Sequence, residues 1–273
     1  MKKLMILALL AVATMTQAQQ KIELWPDGAP HESVDAQDTA FVKVFLTTPD
    51  RSEGADGCPC VIICPGGGYT HLAMDHEGFD WAPVFNELGI SVAVLKYRMP
   101  HGNKEIPVED AEEALRLVRR NAAAWGIDPH RVGIMGSSAG GHLAATVATH
   151  ALGRSKPNFQ ILFYPVITMD KSFTHMGSHD NLLGADASAE LETEYSCEKK
   201  VEPTTPRAFI VLSDDDKVVP SLNGVSYYVA LNANGVPAVL HVYPTGGHGW
   251  GLRSSFVHHA EMLMELKAWL KKL

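Results

Sequence analysis

Residues 132–142 read VGIMGSSAGGH, and this stretch decides how the rest of the chain is interpreted. Apolar and small residues that suit a strand lead into Gly136, and helix-forming small residues follow Ser138. A GxSxG spacing, from Gly136 to Gly140, is typical of a sharp strand-to-helix turn, because larger side chains two residues either side of the serine would collide. Ser138 is therefore a candidate nucleophile. The alternative is a tight turn whose serine only caps the following helix.

Short β-branched runs alternate with longer helical patterns on both sides of this turn, which indicates an α/β fold with a largely parallel sheet. Several runs are apolar throughout, as expected when helices cover both faces of the sheet. The predicted strands are 41–47, 60–64, 90–96, 132–136, 159–164, 208–212 and 238–243. The predicted helices are 107–125, 139–151, 221–235 and 256–272. The segment 168–205, rich in Asp, Ser, Glu and Thr, is predicted to be a partly helical, cap-like insertion.

Length and charge limit the classes of protein to consider. With 273 residues, of which 46% are hydrophobic, the chain can bury one large core and fits a single α/β domain over 19–273. The formal net charge is −8, and no stripe of Lys and Arg is present to neutralise phosphates. We therefore expect no nucleic-acid partner. The sequence leaves the oligomeric state open.

The first residues, MKKLMILALLAVATMTQAQ, resemble a secretory signal peptide. A basic start at Lys2 and Lys3 is followed by an apolar run that is too short to span a membrane, which takes about 20 apolar residues. We expect cleavage near Ala18, so that residues 1–18 are the signal peptide. The mature chain is then expected to be periplasmic or secreted, without a membrane anchor.

The cysteines and histidines point to no metal. Four cysteines are too few for a disulfide-built scaffold, and they are expected to be buried free thiols or to form one incidental disulfide. They are Cys58, Cys60, Cys64 and Cys197. The 13 histidines form no HExxH or similar ligand spacing, so we expect neither a required metal nor a cofactor.

A serine hydroxyl needs a neighbouring base, and His248 is the candidate. It lies in YPTGGHGWG, a glycine-rich loop directly after the last apolar strand. Hydrolases built around this kind of serine turn follow the chain order nucleophile, acid, histidine, with the acid after the penultimate strand. At that position FIVLSDDDKVVP offers three consecutive aspartates. We choose Asp216 as the residue that orients the imidazole, with Asp215 as the second candidate.

Ester hydrolysis also requires hydrogen-bond donors for the oxyanion. One is the amide of Ala139, directly after the nucleophile. Others are expected from IICPGGGYTH, where a glycine run follows a buried strand and lets the main chain approach a substrate closely. We assign Gly67 and Gly68 as these donors. A phosphate-binding loop is disfavoured because the Lys and Ser/Thr of a P-loop are missing.

Several segments together carry a family resemblance that extends over nearly the whole chain after residue 18. They are LWPDGAP (Leu24 to Pro30), CPGGGY (Cys64 to Tyr69), HEG (His76 to Gly78), LKYRMP (Leu95 to Pro100), WGIDPHRVGIMGSSAGGHLA (Trp125 to Ala144), NLLG (Asn181 to Gly184) and PTGGHGWGL (Pro244 to Leu252). In this order they resemble the acetyl xylan esterase and related carbohydrate esterase group of α/β hydrolases, close to the hormone-sensitive-lipase-like esterases. The chain departs from the lipase-like pattern at Pro65, where those esterases have histidine.

The resemblance implies an α/β-hydrolase fold and a serine esterase that removes small acyl groups, chiefly acetyl, from acylated plant polysaccharide or oligosaccharide. A feruloyl esterase, a general carboxylesterase and a non-catalytic carbohydrate-binding relative are alternatives. A peptidase of the prolyl-oligopeptidase kind is disfavoured because the chain has no room for its additional domain. Tyr69 and Trp250, which flank the glycine donors and the catalytic histidine, are candidate stacking faces for sugar. Glu77 and Arg98 are expected to form an ion pair under the site.

Overall fold

A computed structural model describes residues 20–48 and 57–273. The predicted signal peptide over 1–18 lies outside the described residues, and the assignment of 19–273 to a single domain stays a prediction. The described strands are β1 (Gln20–Glu23), β2 (Phe41–Phe45), β3 (Cys58–Cys64), β4 (Ser91–Lys96), β5 (Ile127–Ser137), β6 (Phe159–Phe163), β7 (Arg207–Ser213) and β8 (Ala238–Tyr243).

The described helices are α1 (Trp81–Asn86), α2 (Glu105–Trp125), α3 (Ser138–His150), α4 (Met176–Leu183), α5 (Ala189–Glu194), α6 (Leu222–Ala233) and α7 (His259–Leu270). A π-helical turn spans Asp75–Phe79, and short 3₁₀ turns span Gly153–Ser155 and Cys197–Lys199. None of the helices in the described ranges combines the length and the apolar character that a membrane span requires.

The strands form one sheet in the order β1-β2-β4-β3-β5-β6-β7-β8. From β4 to β8 all neighbours are parallel, whereas β1 pairs antiparallel with β2 and β2 with β4. The carboxyl ends of β3, β5, β7 and β8 therefore meet at one edge of the sheet. The loops after these four strands contain the residues that the sequence selects for chemistry, which places them all at that edge.

The core lies on both faces of the sheet, as the apolar strands predict. Along β3, Cys60, Ile62 and Cys64 pack on the face that α2, α3 and α6 cover. Val61 and Ile63 pack on the opposite face with α1 and α7. Because side chains alternate along a strand, a run that is apolar at every position contributes to two cores at once.

The predicted α/β fold with a mostly parallel sheet is confirmed, and each predicted strand and helix corresponds to an observed element. Two elements were not predicted. β1 is a short edge strand whose four residues are mostly exposed, so it has no hydrophobic alternation to detect. α1 has six residues with Pro83 inside them, which is too short to show a helical period.

The insertion 168–205 is partly helical, as predicted, and contains α4, α5 and a 3₁₀ turn. His142 links the insertion to α3 and to the loop after β3. Its ring is fully buried, Nε2 lies 2.8 Å from the carbonyl oxygen of Tyr195, and Nδ1 lies 3.0 Å from the hydroxyl of Tyr69. A carbonyl only accepts, so Nε2 carries the proton and Nδ1 accepts from Tyr69. A neutral imidazole thus satisfies both contacts.

His142 should make the stability of the protein depend on pH. Burial lowers the pKa of His142 from 6.5 to about 4 in the folded state. Between these values the unfolded chain binds a proton that the folded protein does not, so acid favours unfolding. We expect this group to reduce the free energy of unfolding by about 2 kcal/mol between pH 7.5 and pH 5.0. Urea unfolding at the two pH values measures the loss.

The control for this prediction is His142→Gln, whose amide can still donate to the carbonyl of Tyr195 but does not titrate. Between pH 7.5 and pH 5.0, its free energy of unfolding should fall by about 2 kcal/mol less than that of the wild type. An identical pH dependence in the two proteins would mean that His142 does not cause it.

All four cysteines lie in the described part of the chain, and all are buried free thiols. The sequence left buried free thiols and one incidental disulfide as alternatives. The structure has the free thiols. Burial raises the pKa of the Cys60, Cys64 and Cys197 thiols well above the usual range. These thiols are consequently inert packing groups and not nucleophiles.

Candidate active site

Ser138 occupies a strained turn between β5 and α3. Its φ is +54°, in the left-handed region that side chains rarely adopt. A methyl group on Gly136 would lie 2.0 Å from the carbonyl oxygen of Gly140, and one on Gly140 would lie 2.1 Å from that of Cys64. Both positions therefore require glycine. Ser137, not Ser138, is the N-cap residue of α3, and its side chain makes no capping hydrogen bond.

The loop after β8 brings His248 to this serine. Nε2 of His248 lies 2.8 Å from Oγ of Ser138, although the two residues are 110 positions apart in the chain. The imidazole side chain is 16% exposed. Tyr164, the residue after β6, packs edge-on against the imidazole with ring centroids 4.9 Å apart. The ring is thus held on one side and open to solvent on another.

The loop after β7 supplies the carboxylate that faces the imidazole. Oδ2 of Asp216 lies 2.6 Å from Nδ1 of His248, and Oδ1 accepts hydrogen bonds from the amides of Val218 and Val219. Asp215, the second candidate, lies on the surface and accepts from the amide of Gly247 at 2.7 Å. The amide of Gly247 lowers the pKa of Asp215. The structure therefore places Asp216, and not Asp215, against the imidazole.

These contacts define the protonation pattern of the neutral histidine. A carboxylate only accepts hydrogen bonds, so Nδ1 of His248 carries the proton and donates it to Asp216. Nε2 is then unprotonated and accepts from the hydroxyl of Ser138. A base in this state can take the serine proton during attack on a carbonyl carbon, and the carboxylate stabilises the imidazolium that results.

The glycine run after β3 lies directly beside the serine. A methyl group on Gly66 would lie 2.9 Å from Cβ of Ser138. Most polar main-chain groups of this loop make hydrogen bonds within the protein. The carbonyl of Pro65 accepts from Tyr97, and that of Gly66 accepts from Ala73. The carbonyl of Gly67 accepts from Thr70, and that of Gly68 accepts from Asn181. The amide of Gly66 donates to Glu77.

Two amides of the glycine run remain for a ligand. Within residues 20–48 and 57–273, the amides of Gly67 and Gly68 donate to no protein acceptor. The amide of Ala139, in the first turn of α3, has no acceptor in its own helix. The structure thus brings the predicted donors to the edge of the sheet that holds Ser138. A helix N-terminus at this point further favours negative charge.

Glu77 is a buried carboxylate that links the glycine run to the histidine loop. Oε2 accepts from the amide of Gly66 and Oε1 accepts from the hydroxyl of Tyr164, each at 2.8 Å. The same Tyr164 hydroxyl accepts from the amide of Gly251 at 2.7 Å, three residues after His248. Tyr164 itself has a φ of +34°, so its backbone is strained in order to reach both partners.

The predicted ion pair between Glu77 and Arg98 is wrong. Arg98 pairs with Asp110 at 2.7 Å and with Glu109 at 2.8 Å, both in α2, while Glu77 binds neutral donors. Asp110 also accepts from the indole nitrogen of Trp25 at 2.6 Å. Arg98 also donates to the carbonyl of His31, so Arg98 and Asp110 together fasten the N-terminal segment to α2. A buried charge needs partners of good geometry, and only the fold decides which are within reach.

Replacing Glu77 by glutamine should destabilise the fold. Both carboxylate oxygens accept hydrogen bonds, whereas a glutamine side chain has one acceptor, so either the Gly66 amide or the Tyr164 hydroxyl loses its acceptor. We expect the free energy of unfolding in urea to fall by about 1–3 kcal/mol. The same change at the exposed Glu87 should alter it by no more than about 0.5 kcal/mol. Equal effects at the two positions would contradict the bridging role of Glu77.

The predicted sugar-stacking role of Tyr69 and Trp250 is also wrong. Tyr69 is 2% exposed and Trp250 is 4% exposed, so neither ring offers a face to a substrate. The indole nitrogen of Trp250 donates to Ser213 at 3.0 Å, and its ring stacks on Phe256 with centroids 3.9 Å apart. Both aromatic residues pack inward from the loops that carry the site. They support the site and are not open to a sugar.

Sequence reasoning missed three residues that reach the site. Tyr164 follows β6 at the edge of the sheet that holds Ser138. Its position at the end of a predicted strand could have identified it from the sequence. Asn181 lies in the NLLG segment, and its side-chain amide donates to the carbonyl of Gly68 at 2.9 Å. His175 precedes α4 and lies close to Gly68, since a methyl group on that glycine would be 3.7 Å from Cε1 of the ring. No spacing in the sequence links the insertion to the glycine run.

The described ranges contain no group of three or more His, Cys, Asp or Glu side chains arranged to hold a metal ion. The chemistry that this arrangement supports runs through the serine, the imidazole and the main-chain amides.

Comparison with known proteins places these residues in context. Residues 61–252 match the profile of the Abhydrolase_3 family, described as having the alpha/beta hydrolase fold. The chain is 37% identical over 276 residues to the acetylxylan esterase of Xylanibacter ruminicola, covering 100% of this chain and 55% of that protein. It is 36% identical over 205 residues to endo-1,4-beta-xylanase B of Butyrivibrio fibrisolvens, covering 70% of this chain and 32% of that protein.

The chain thus spans about half the length of the first of these relatives and about a third of the second. Among solved structures, the acetyl ester-xyloside bifunctional hydrolase from Caldicellulosiruptor lactoaceticus is similar in fold, with a TM-score of 0.87. Its sequence is 32% identical, and the match covers 95% of this chain and 98% of that chain. The similarity therefore includes the insertion as well as the sheet.

Proposed function

The chain belongs to the alpha/beta hydrolase family whose profile it matches, and from that premise we propose that it is a serine esterase removing acetyl groups from xylan or xylo-oligosaccharides. The observation that carries the proposal is the hydrogen-bonded series from Asp216 through His248 to Ser138. It lies beside main-chain amides suited to an oxyanion. The acetylxylan esterase and the acetyl ester-xyloside hydrolase among its relatives support the choice of acyl group and sugar.

In the first step, Oγ of Ser138 attacks the ester carbonyl carbon while Nε2 of His248 takes the hydroxyl proton. The carbonyl oxygen becomes an oxyanion and accepts hydrogen bonds from the amides of Gly67, Gly68 and Ala139. The tetrahedral intermediate then collapses. The bond to the sugar oxygen breaks, the sugar alcohol leaves with the proton from His248, and the acetyl group stays on Ser138.

In the second step, water replaces the sugar alcohol next to His248. The imidazole takes a proton from this water as it attacks the acyl carbon, and the same amides bind the second oxyanion. Collapse breaks the bond to Ser138, which recovers its proton from His248, and acetate is released. Asp216 holds the imidazole orientation throughout and stabilises its charged form.

Release of acetate from acetylated xylan tests the proposed substrate. The purified protein is incubated with acetylated xylan and, in parallel, with a feruloylated oligosaccharide, and free acetate and free ferulate are measured. We expect acetate release to dominate. Ferulate release without acetate release would replace the acetyl substrate by a feruloyl one while keeping the serine mechanism.

A fluorophosphonate probe separates an enzyme from a carbohydrate-binding relative that has lost turnover. Such a probe reacts with a serine that a neighbouring base activates. We expect a covalent adduct on Ser138, located by mass spectrometry. A protein that binds acetylated xylan but forms no adduct would be the non-catalytic relative.

A further inference from the structure

Two residues of the insertion, Asn181 and His175, lie beside Gly68 of the glycine run. We infer that His175 binds the alcohol part of the substrate, with its Nε2–H donating a hydrogen bond to a sugar hydroxyl or ring oxygen next to the acetyl ester. This inference rests on the proposed esterase function and names a residue that selects the sugar. It assigns a sugar contact to His175, whereas Tyr69 and Trp250 are buried.

The insertion is fixed against the glycine run at the place where His175 lies. The side-chain amide of Asn181, at the other end of α4, donates to the carbonyl of Gly68 at 2.9 Å. The carbonyl of Asn181 in turn accepts from the amide of Gly102 at 2.8 Å. Because α4 is held at Gly68 and Gly102, the His175 ring has a defined position beside Gly68.

The hydrogen bonds of His175 determine which ring nitrogen carries the proton. Nδ1 lies 3.2 Å from the amide nitrogen of Ser178 and 2.8 Å from its hydroxyl. A main-chain amide only donates, so Nδ1 is the acceptor and the proton of the neutral ring is on Nε2. In the described part of the chain Nε2 donates to no protein group, and it is not enclosed away from solvent. The donor is therefore available to a ligand.

The ring of His175 lies beside Gly68, whose amide is predicted to bind the oxyanion. Partial burial lowers the pKa of His175, the nearby His248 lowers it further, and Asp216 acts in the opposite direction. The lowered pKa favours the neutral form of His175, in which Nε2 carries the proton. The alcohol of an ester must lie beside His248, because that residue protonates the leaving oxygen. A neutral N–H donor at this point suits the uncharged hydroxyls of a pentose.

Two substitutions at His175 separate a substrate contact from a purely structural role. His175→Asn keeps an oxygen that can accept from the Ser178 amide but lacks a donor at the reach of Nε2. His175→Gln keeps a donor at about that reach but loses the acceptor at the helix end. For each protein, kcat/KM is measured with methyl 3-O-acetyl-β-xyloside and with p-nitrophenyl acetate, whose alcohol part has no sugar hydroxyl.

We expect His175→Asn to lower the ratio of kcat/KM for the xyloside to that for p-nitrophenyl acetate by about tenfold. We expect His175→Gln to restore the ratio to within about threefold of the wild type. A ratio unchanged in His175→Asn, or lowered equally in both variants, overturns the inference while leaving the esterase intact. A wild-type protein that hydrolyses neither ester overturns the proposed function and this inference together.

Discussion

Replacing Ser138 by alanine is expected to lower kcat/KM for p-nitrophenyl acetate by about 10⁴-fold or more. The variant keeps the amides and the imidazole but has no oxygen that can form the acyl intermediate. Hydrolysis should then be close to the rate without enzyme. The free energy of unfolding should change by only about 1 kcal/mol, because one hydrogen bond to a partly exposed imidazole is lost.

Ser137→Ala is the matched control, since it removes the same atom from the neighbouring position. The hydroxyl of Ser137 does not cap α3, and among the described residues it has no hydrogen-bond partner. Its kcat/KM should stay within about threefold of the wild type, as expected for a position without a catalytic contact. Activity retained by Ser138→Ala and lost by Ser137→Ala would move the nucleophile to the neighbouring serine. Activity retained by both variants would reject a serine nucleophile at this turn.

Asp216→Asn is expected to lower kcat by about 10³- to 10⁴-fold with little change of structure. Oδ1 of Asp216 already accepts from the amides of Val218 and Val219. An asparagine must keep its only oxygen there and turn its NH₂ group toward His248. Nδ1 would then become an acceptor and Nε2 would carry the proton. An imidazole in that tautomer cannot take the proton of Ser138. The loss of kcat is measured with p-nitrophenyl acetate at neutral pH.

The same substitution at Asp215 tests the choice between the two aspartates. Asp215 accepts from the amide of Gly247 on the surface, and an asparagine oxygen can keep that contact. We expect Asp215→Asn to reduce kcat by less than about fivefold. A larger loss at Asp215 than at Asp216 would contradict the arrangement seen in the structure.

Much of the site is predictable because the chemistry depends on local rules. A serine at a strained turn needs small neighbours, and Gly136 and Gly140 have no room for a side chain. The acid and the base follow consecutive strands of a parallel sheet, so their order along the chain is enough to select the loops. The family resemblance drawn from the short motifs is confirmed by the profile match and by the relatives.

The errors share a physical cause. Tyr69 and Trp250 flank site residues in the chain, but neighbours in sequence need not face the same way. Tyr69 has a φ of +60°, and its side chain turns into the core toward His142. Glu77 and Arg98 lie in two of the segments that carry the family resemblance, yet each has different buried partners. Motifs that occur together need not be in contact.

By itself, the sequence determined the alternation of strands and helices, the serine turn, and the loops in which the acid and the histidine lie. These features follow from hydrophobic period, backbone sterics and strand order, all of which are encoded over short distances in the chain. Only the tertiary structure decided that Asp216 faces the imidazole, that Glu77 joins two loops through Tyr164, and that α4 brings His175 to Gly68. Such contacts join residues tens of positions apart, and their geometry exists only once the sheet and the insertion have packed together.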